Sequence, residues 1–173
     1  MRKVADAARI WRLMRALGAE ADSDGRIYFT GGATAVLLEW RTSTIDVDIK
    51  MVPESDRLLR AIPRLKEELE INVELASPAD FIPELEGWQE RSRFIAQEGR
   101  LSFHHYDFYA QALAKIERGH TQDVADVHDM LLRGLVNPDV LLTHFASIEP
   151  RLYRYPAIDP PTFRRAVEAM LQV

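Results

Sequence analysis

The sequence predicts an α/β (α+β) protein with a small mixed sheet flanked by helices and a C-terminal helical bundle. Three observations support this fold class. Residues 26–52 have the pattern of a strand, a glycine turn, a helix and a second strand. Short alternating apolar runs continue to residue 106, and most later segments have helical spacing. We therefore expect an α/β core over residues 1–106 and a helical region over 107–173 that packs on it.

Composition limits the classes of protein that are possible. The chain has 173 residues, of which 47% are hydrophobic, so it can form one compact domain or a domain with a helical appendage. It has no cysteine, which excludes disulfides and thiolate metal sites. A net charge of −5 disfavours broad non-specific binding to nucleic acid, although a local basic patch stays possible.

The N-terminal segment does not have the pattern of a targeting signal. Its cations are spread through the segment at Arg9, Arg12 and Arg15, whereas a signal peptide has an uninterrupted apolar region. No apolar run approaches the length of a membrane span. We expect a cytoplasmic protein without a membrane partner.

A pair of glycines, Gly31-Gly32, ends the first predicted strand and precedes a helix over residues 33–40. Paired glycines occur where the backbone turns sharply or approaches a ligand closely. Backbone N–H groups in such a turn can bind phosphate oxygens. The hydroxyl groups of Thr30 and Thr34 can either donate to a phosphate or satisfy nearby backbone groups.

Two aspartates follow on the next predicted strand, residues 44–51. Its apolar residues alternate with Asp46, Asp48 and Lys50, which places both carboxylates on one face, about 6.5 to 7 Å apart at Cα. Carboxylate oxygens suit magnesium, which usually also binds substrate phosphates. Two aspartates in this spacing are common on solvated strands, but the glycine turn before them favours phosphoryl chemistry.

The remaining elements follow from periodicity and capping residues. The predicted helices and strands are a helix over 4–17 that stops at Gly18, a helix from Ser55 to Leu69 that contains Pro63, a strand over 71–75, a hairpin of 93–96 with 101–106, and helices over 108–118 (capped by Asp107), 121–133 (capped by Thr121), 138–148 and 162–171.

Two segments resemble a known superfamily. Gly31-Gly32, thirteen residues and then Asp46-Val47-Asp48 resemble the signature of the nucleotidyltransferase (DNA polymerase β-like) superfamily. The run from Arg41 to Asp46 is similar to the Arg-x-x-Thr-x-Asp of its small prokaryotic members, which include abortive-infection type toxin nucleotidyltransferases. The run from Lys115 to Asp126 is similar to their Lys-then-Arg-Asp-x-x-Asp segment, with Gln122 where an arginine often stands. The resemblance covers residues 26–133.

The resemblance implies a nucleotidyltransferase-like fold and a magnesium- or manganese-dependent enzyme. Such an enzyme moves a nucleoside monophosphate from a nucleoside triphosphate (NTP) to an RNA, such as tRNA, or to a protein. It also implies a toxin–antitoxin or phage-defence role, with a cognate antitoxin-like partner protein. The implied site comprises Asp46, Asp48 and Glu74 as metal ligands, the same three residues with Lys115 in catalysis, and Gly31, Gly32, Thr34 and Lys115 at the triphosphate.

Other interpretations of these residues stay open. Glu74 alternates with apolar neighbours as a third carboxylate would, but an ordinary exposed strand residue has the same pattern. Lys115 can equally be a solvated helix residue, and Asp123 and Asp126 can orient it, orient Arg118, or cap a helix. The alternative function is a catalytically silent module that binds a nucleotide or a partner protein.

Two further clusters are interpreted as structural. His104 and His105 are neighbours on a strand, so their side chains point to opposite faces and cannot chelate one ion. Basic and aromatic residues cluster near the C-terminus; surface ion pairs explain them better than RNA binding. The cluster comprises Arg151, Tyr153, Arg154, Tyr155, Arg164 and Arg165, with Glu149, Asp159 and Glu168 as acidic partners.

Overall fold

The computed structural model describes residues 3–172. Its helices are α1 (Ala7–Glu20), α2 (Gly32–Leu37), α3 (Asp56–Glu68), α4 (Trp88–Arg91), α5 (Phe108–Arg118), α6 (Thr121–Leu132), α7 (Pro138–Ile148) and α8 (Pro160–Leu171), with 3-10 turns at Pro78–Asp80 and Glu149–Arg154. Its strands are β1 (Gly25–Thr30), β2 (Asp46–Val52), β3 (Asn72–Leu75), β4 (Arg93–Glu98) and β5 (Leu101–His105).

The five strands form one mixed sheet in the order β3-β2-β1-β5-β4. β1 runs parallel to β5, and β2 runs parallel to β3. β1 is antiparallel to β2, and β4 is antiparallel to β5. This arrangement confirms the predicted fold class, including the hairpin of β4 and β5 and the pairing of the strands on either side of the glycine turn.

One face of the sheet forms the core of the first compact unit. Alternate residues such as Ile27, Phe29, Val47 and Ile49 are at most 1% exposed, because they pack against the apolar sides of α1 and α3. Burial of apolar area is the main favourable contribution to folding, at roughly 25 cal/mol per Å². The opposite face carries the polar residues of the same strands.

Helix α1 differs from its prediction. The helix begins after Asp6, whose carboxylate accepts a hydrogen bond from the Arg9 N–H, and it continues through Gly18 to Glu20. A Cβ atom at Gly18 would lie 2.5 Å from the Glu98 carbonyl oxygen. Gly18 therefore allows α1 to approach the β4–β5 turn, and the prediction that it stops the helix was wrong.

The structure confirms some of the predicted helix caps and ends and contradicts others. Ser55 caps α3 by accepting from the Leu58 N–H, and Asp107 caps α5 by accepting from the Tyr109 N–H, as expected. The N-cap residue of α6 is His120 rather than Thr121, which is the first residue of the helix. The His120 side chain makes no capping hydrogen bond. α2 ends at Leu37 rather than residue 40.

The described residues divide into two compact units. The first comprises the sheet, with the chain up to Ser77 and Ser92–Tyr106; the second comprises Pro78–Arg91 and the chain from Asp107. The sequence suggested a single boundary at 106/107, whereas Pro78–Arg91 groups with the later helices. Arg91 donates to Asp107 at 2.8 Å, and the Tyr155 hydroxyl donates to the Ala79 carbonyl at 2.9 Å.

The second unit is a helical bundle, as predicted. α5 packs against α6, α7 and α8, and Phe145 and Phe163 meet edge to face inside it, with centroids 4.9 Å apart. Arg164 forms the expected surface ion pairs with Glu149 and Glu168. Among residues 3–172, no helix has both the length and the apolar character needed to cross a bilayer.

Candidate functional site

The glycine turn lies against the first half of β2. Gly31 has φ 66° and ψ −130°, a backbone conformation that residues other than glycine rarely adopt. A Cβ atom on Gly31 would lie 3.2 Å from Asp48 Oδ2, and a Cβ atom on Gly32 would overlap the Thr44 hydroxyl. Both positions therefore require glycine, and the turn brings its backbone next to the Asp48 carboxylate.

Asp46 and Asp48 both lie on the polar face of β2 and are half-buried, outside the apolar core. β1 ends at Thr30, which lies opposite Asp48 on the neighbouring antiparallel strand. This confirms the predicted adjacency of the glycine turn and the aspartate strand. Their roles in binding or catalysis stay predictions.

The neighbouring strand β3 adds a carboxylate and an amide to the same face. Glu74 pairs with Asp48 and Asn72 pairs with Asp46, and residues paired in this way share a face of the sheet. The Asn72 amide donates to Glu74 Oε1 at 3.2 Å and to Asp46 Oδ1. Sequence reasoning missed Asn72, although it stands two residues before Glu74 and so had to share its face.

The carboxylates of Asp46 and Asp48 are of the chemical type that could hold a magnesium ion. Within the described range, no three His, Cys, Asp or Glu side chains form a group that could hold a metal ion. The oxygen ligands of Asp46 and Asp48 are nevertheless the type that Mg²⁺ and Mn²⁺ prefer. Mg²⁺ is commonly bound by one or two carboxylates plus water and substrate phosphates, which this pair matches.

Thr34 supports the glycine turn from inside the protein. Its side chain is fully buried, and its hydroxyl donates to the Phe29 carbonyl at 3.4 Å and lies 3.1 Å from His105 Nδ1. Burial and the nearby charges of Arg93 and His104 lower the pKa of His105 to about 4. The Thr34 hydroxyl therefore supports the turn, and its contact with a phosphate stays a prediction.

Lys115 lies in the second unit and is only 6% exposed. Its Nζ atom is 2.7 Å from Asp126 Oδ2 and 3.7 Å from Asp123 Oδ1, which confirms that Asp126 is close enough to orient it. The Gln122 amide donates to the other oxygen of Asp126 at 3.1 Å, so Gln122 takes part in the same network. Whether Lys115 contacts a triphosphate stays a prediction.

Asp123 joins this network to Arg118. Arg118 donates to both of its carboxylate oxygens, at 2.7 and 3.2 Å. Burial alone would raise the pKa of Asp123, but the hydrogen bonds and charge of Arg118, with the charge of Lys115, lower it overall. The cluster is therefore an ionised network in which each buried charge has an opposite partner.

Comparison with known proteins identifies a family. A model of the family described as "Nucleotidyltransferase of unknown function (DUF6036)" matches residues 8–155. The matched range includes the glycine turn, both aspartates of β2, Glu74 and Lys115. Neither the curated proteins nor the solved structures contain a significant match to the chain.

Proposed function

The chain belongs to this nucleotidyltransferase family, and from that premise we propose that it transfers a nucleoside monophosphate from an NTP to an acceptor. The proposal depends most on one observation: the positive-φ glycine turn lies directly beside Asp48, on the strand that also carries Asp46. This supports the proposal because backbone N–H groups of such a turn can bind phosphate oxygens, and carboxylate oxygens are of the type that suits magnesium.

The proposed roles follow from these positions. The turn at Gly31-Gly32 binds phosphate oxygens through backbone N–H groups, and Asp46 and Asp48 hold Mg²⁺ or Mn²⁺. A bound divalent cation would supply positive charge that stabilises the charge developing on the phosphoryl group. Lys115 is proposed to stabilise negative charge on the triphosphate, and Asp126 to orient it.

The reaction is a substitution at the α-phosphorus. An oxygen of the acceptor forms a bond to this phosphorus, the bond to the bridging oxygen breaks, and pyrophosphate leaves with that electron pair. The acceptor hydroxyl must lose its proton. Glu74 is proposed to accept it, because its side chain is exposed on the same face as Asp48, and the Asn72 amide positions its carboxylate.

A catalytically silent nucleotide- or partner-binding module is the second candidate. Two observations favour it: the Asn72 amide donates to both Asp46 and Glu74, and the described residues contain no group of three side chains that could hold a metal ion. Such a module would bind a nucleotide without cleaving it.

Label transfer separates the two candidates. The wild type is incubated with each NTP, labelled at the α-phosphate, with Mg²⁺ or Mn²⁺ and total cellular RNA. We expect label in RNA or protein, and none with Asp48→Asn, since this variant removes a negative charge that the cation requires. Asp22→Asn, at an exposed aspartate outside the site, is the matched control and should retain the activity. Absence of transfer from every NTP would leave the silent module.

The biological setting is part of the proposal. By family resemblance, the chain would act in the cytoplasm in a toxin–antitoxin or phage-defence system, with a cognate protein that controls it. Copurification of a protein that abolishes label transfer would support this setting. Growth unaffected by expression of the active enzyme would argue against a toxin.

A further inference from the structure

Beyond the two aspartates, the polar face of the sheet carries cations and aromatic rings. We call this row of residues the track; it comprises Arg26, Tyr28, Lys50, Phe94 and His104. Lys50 follows Asp48 on β2 and pairs with Tyr28 on β1. Tyr28 pairs with His104 on β5, and His104 pairs with Phe94 on the edge strand β4. Paired residues share a face, so these side chains and the aspartates lie on one side of the sheet.

The far end of the track is an exposed aromatic platform. Phe94 is 58% exposed, and its ring meets the His104 ring edge to face, with centroids 5.6 Å apart. His104 in turn stacks on the buried ring of Tyr28 at 5.4 Å. Burial and the charge of Arg26 lower the pKa of His104, which favours the neutral ring. Phe94 is thus held in place and presents apolar ring surface to solvent.

Two cations accompany the platform. Arg26 lies two residues before Tyr28 on β1 and is exposed, and Lys50 is half-buried. Over the described range 3–172, neither side chain donates a hydrogen bond or forms an ion pair within the protein. By contrast, Arg100 and Arg164 on other surfaces pair with carboxylates. In a chain of net charge −5, two uncompensated cations on the same face of the sheet as an exposed aromatic residue match a phosphate backbone with stacked bases.

We propose that this track binds single-stranded RNA as the acceptor, with bases stacked on Phe94 and phosphates at Arg26 and Lys50. The inference rests on the proposed transferase function and names its acceptor. The reacting end of the RNA would lie at Asp46 and Asp48, on the same face.

The span of the track favours a polynucleotide over the NTP itself. His104 lies two strands from Asp48, roughly 10 Å across the sheet, and Phe94 lies one strand further. One nucleotide is too short to place its α-phosphate at Asp48 and its base on Phe94, whereas a few linked nucleotides span the distance. The Ser102 hydroxyl, which is bonded to His104 Nε2 at 3.1 Å beside the platform, can make a further hydrogen bond to the 2′-hydroxyl that distinguishes RNA.

Binding is tested with the full chain and a fluorescent 12-nucleotide RNA of mixed sequence, by anisotropy over a range of salt concentrations and without NTP. Phe94→Ala should weaken binding about fivefold or more, since loss of one stacked base has at least this effect, and Phe94→Tyr should restore it. Arg26→Ala and Lys50→Ala should each lower the slope of log K against log salt by about 0.7, the value for one phosphate on a single strand. Phe94→Ala should leave that slope unchanged.

Matched controls lie outside the track. Tyr153→Ala removes a 72% exposed aromatic ring in the second unit, and Arg12→Ala removes an exposed cation on α1, which packs on the opposite face of the sheet. Neither should change binding. A loss of binding with Tyr153→Ala but not with Phe94→Ala would overturn the inference, as would equal affinity for DNA of the same sequence.

The inference and the transferase function fail in different ways. The double variant Asp46→Asn with Asp48→Asn should bind RNA at least as tightly as the wild type, because it removes two negative charges beside the phosphates, and it should lose label transfer. Label transfer to protein at the wild-type rate in Phe94→Ala would overturn the RNA assignment and leave the transferase function intact. RNA binding that depends on Phe94 without any label transfer would refute the transferase function and, with it, the assignment of RNA as the acceptor.

Discussion

Gly31 shows how one residue can be fixed by backbone conformation and by its neighbour together. Its positive φ is unfavourable for any residue with a side chain. A Cβ atom built on Gly31 would also lie 3.2 Å from Asp48 Oδ2. Gly134 also has a positive φ, of 70°, but nothing lies within 4 Å of the position of its Cβ. Substitutions at the two glycines therefore distinguish the effect of backbone strain alone from the effect of moving the Asp48 carboxylate.

Gly31→Ala and Gly134→Ala should differ in activity more than in stability. Both changes should lower the free energy of unfolding, by about 1 to 3 kcal/mol, because alanine is strained at positive φ. Only Gly31→Ala should also reduce label transfer, about tenfold or more, since the new methyl group displaces the Asp48 carboxylate. Urea denaturation and initial rates of transfer measure the two effects. If Gly31→Ala folds and transfers label at the wild-type rate, the turn is not part of the site.

Individual site residues were predictable where their signal is local in the sequence. Gly31-Gly32 and the alternation around Asp46 and Asp48 are visible within one short stretch, because a strand has a period of two. The bonds of Asn72 to Asp46 and of Thr34 to His105 were not predicted, since the partners lie 26 and 71 residues apart and meet only when the sheet forms.

At the scale of helices and strands, the sequence predicted helix ends and caps correctly where they depend only on neighbouring residues in the chain. Ser55 and Asp107 cap their helices through their own side chains, so the sequence was sufficient. Gly18 resembles a helix terminator, yet it lies inside α1 because the Glu98 carbonyl approaches there. Pro78–Arg91 was assigned to the first domain by position, whereas its ion pair with Asp107 joins it to the helical unit.

His105 links two elements, since its ring on β5 contacts the Thr34 hydroxyl at the start of α2. The ring is 3% exposed, so the folded protein binds a proton there only near pH 4, whereas the unfolded chain does so near pH 6.5. Above pH 6.5 both states are neutral at this residue and its full contribution to stability is present. As the pH falls from 6.5 towards 4, the unfolded state binds the proton first, so stability falls.

Acidification should therefore destabilise the protein through His105. Between pH 7.5 and 5, the wild type should lose about 2 kcal/mol of unfolding free energy from this group, beyond the losses from other groups. His105→Gln should lack this component, whereas His120→Asn, at an exposed histidine, should retain it. Urea denaturation at several pH values measures the difference. Parallel pH profiles for the wild type and His105→Gln would show that His105 titrates normally.

For the molecule as a whole, the carboxylates proposed to hold the cation are expected to oppose folding when no cation is bound. Asp46 and Asp48 lie on one face of β2, with Glu74 opposite Asp48 on β3. Like charges at this spacing repel one another when no cation is bound, and the Asn72 amide offsets only part of this repulsion. Functional sites commonly retain such unfavourable groups at some cost in stability.

The double variant Asp46→Asn with Asp48→Asn tests this balance in one thermal denaturation experiment. Asparagine keeps the size of each side chain and removes the charge, so the Tm without ligand should equal or exceed that of the wild type. Magnesium with an NTP at 100 times its Kd should stabilise the wild type by about 2.7 kcal/mol, a rise in Tm of several degrees, because it binds only the folded state. The variant should show little rise, and Asp22→Asn should respond as the wild type does. A wild type whose Tm is unchanged by every NTP, with magnesium or manganese, would contradict nucleotide binding at this site and with it the proposed transferase.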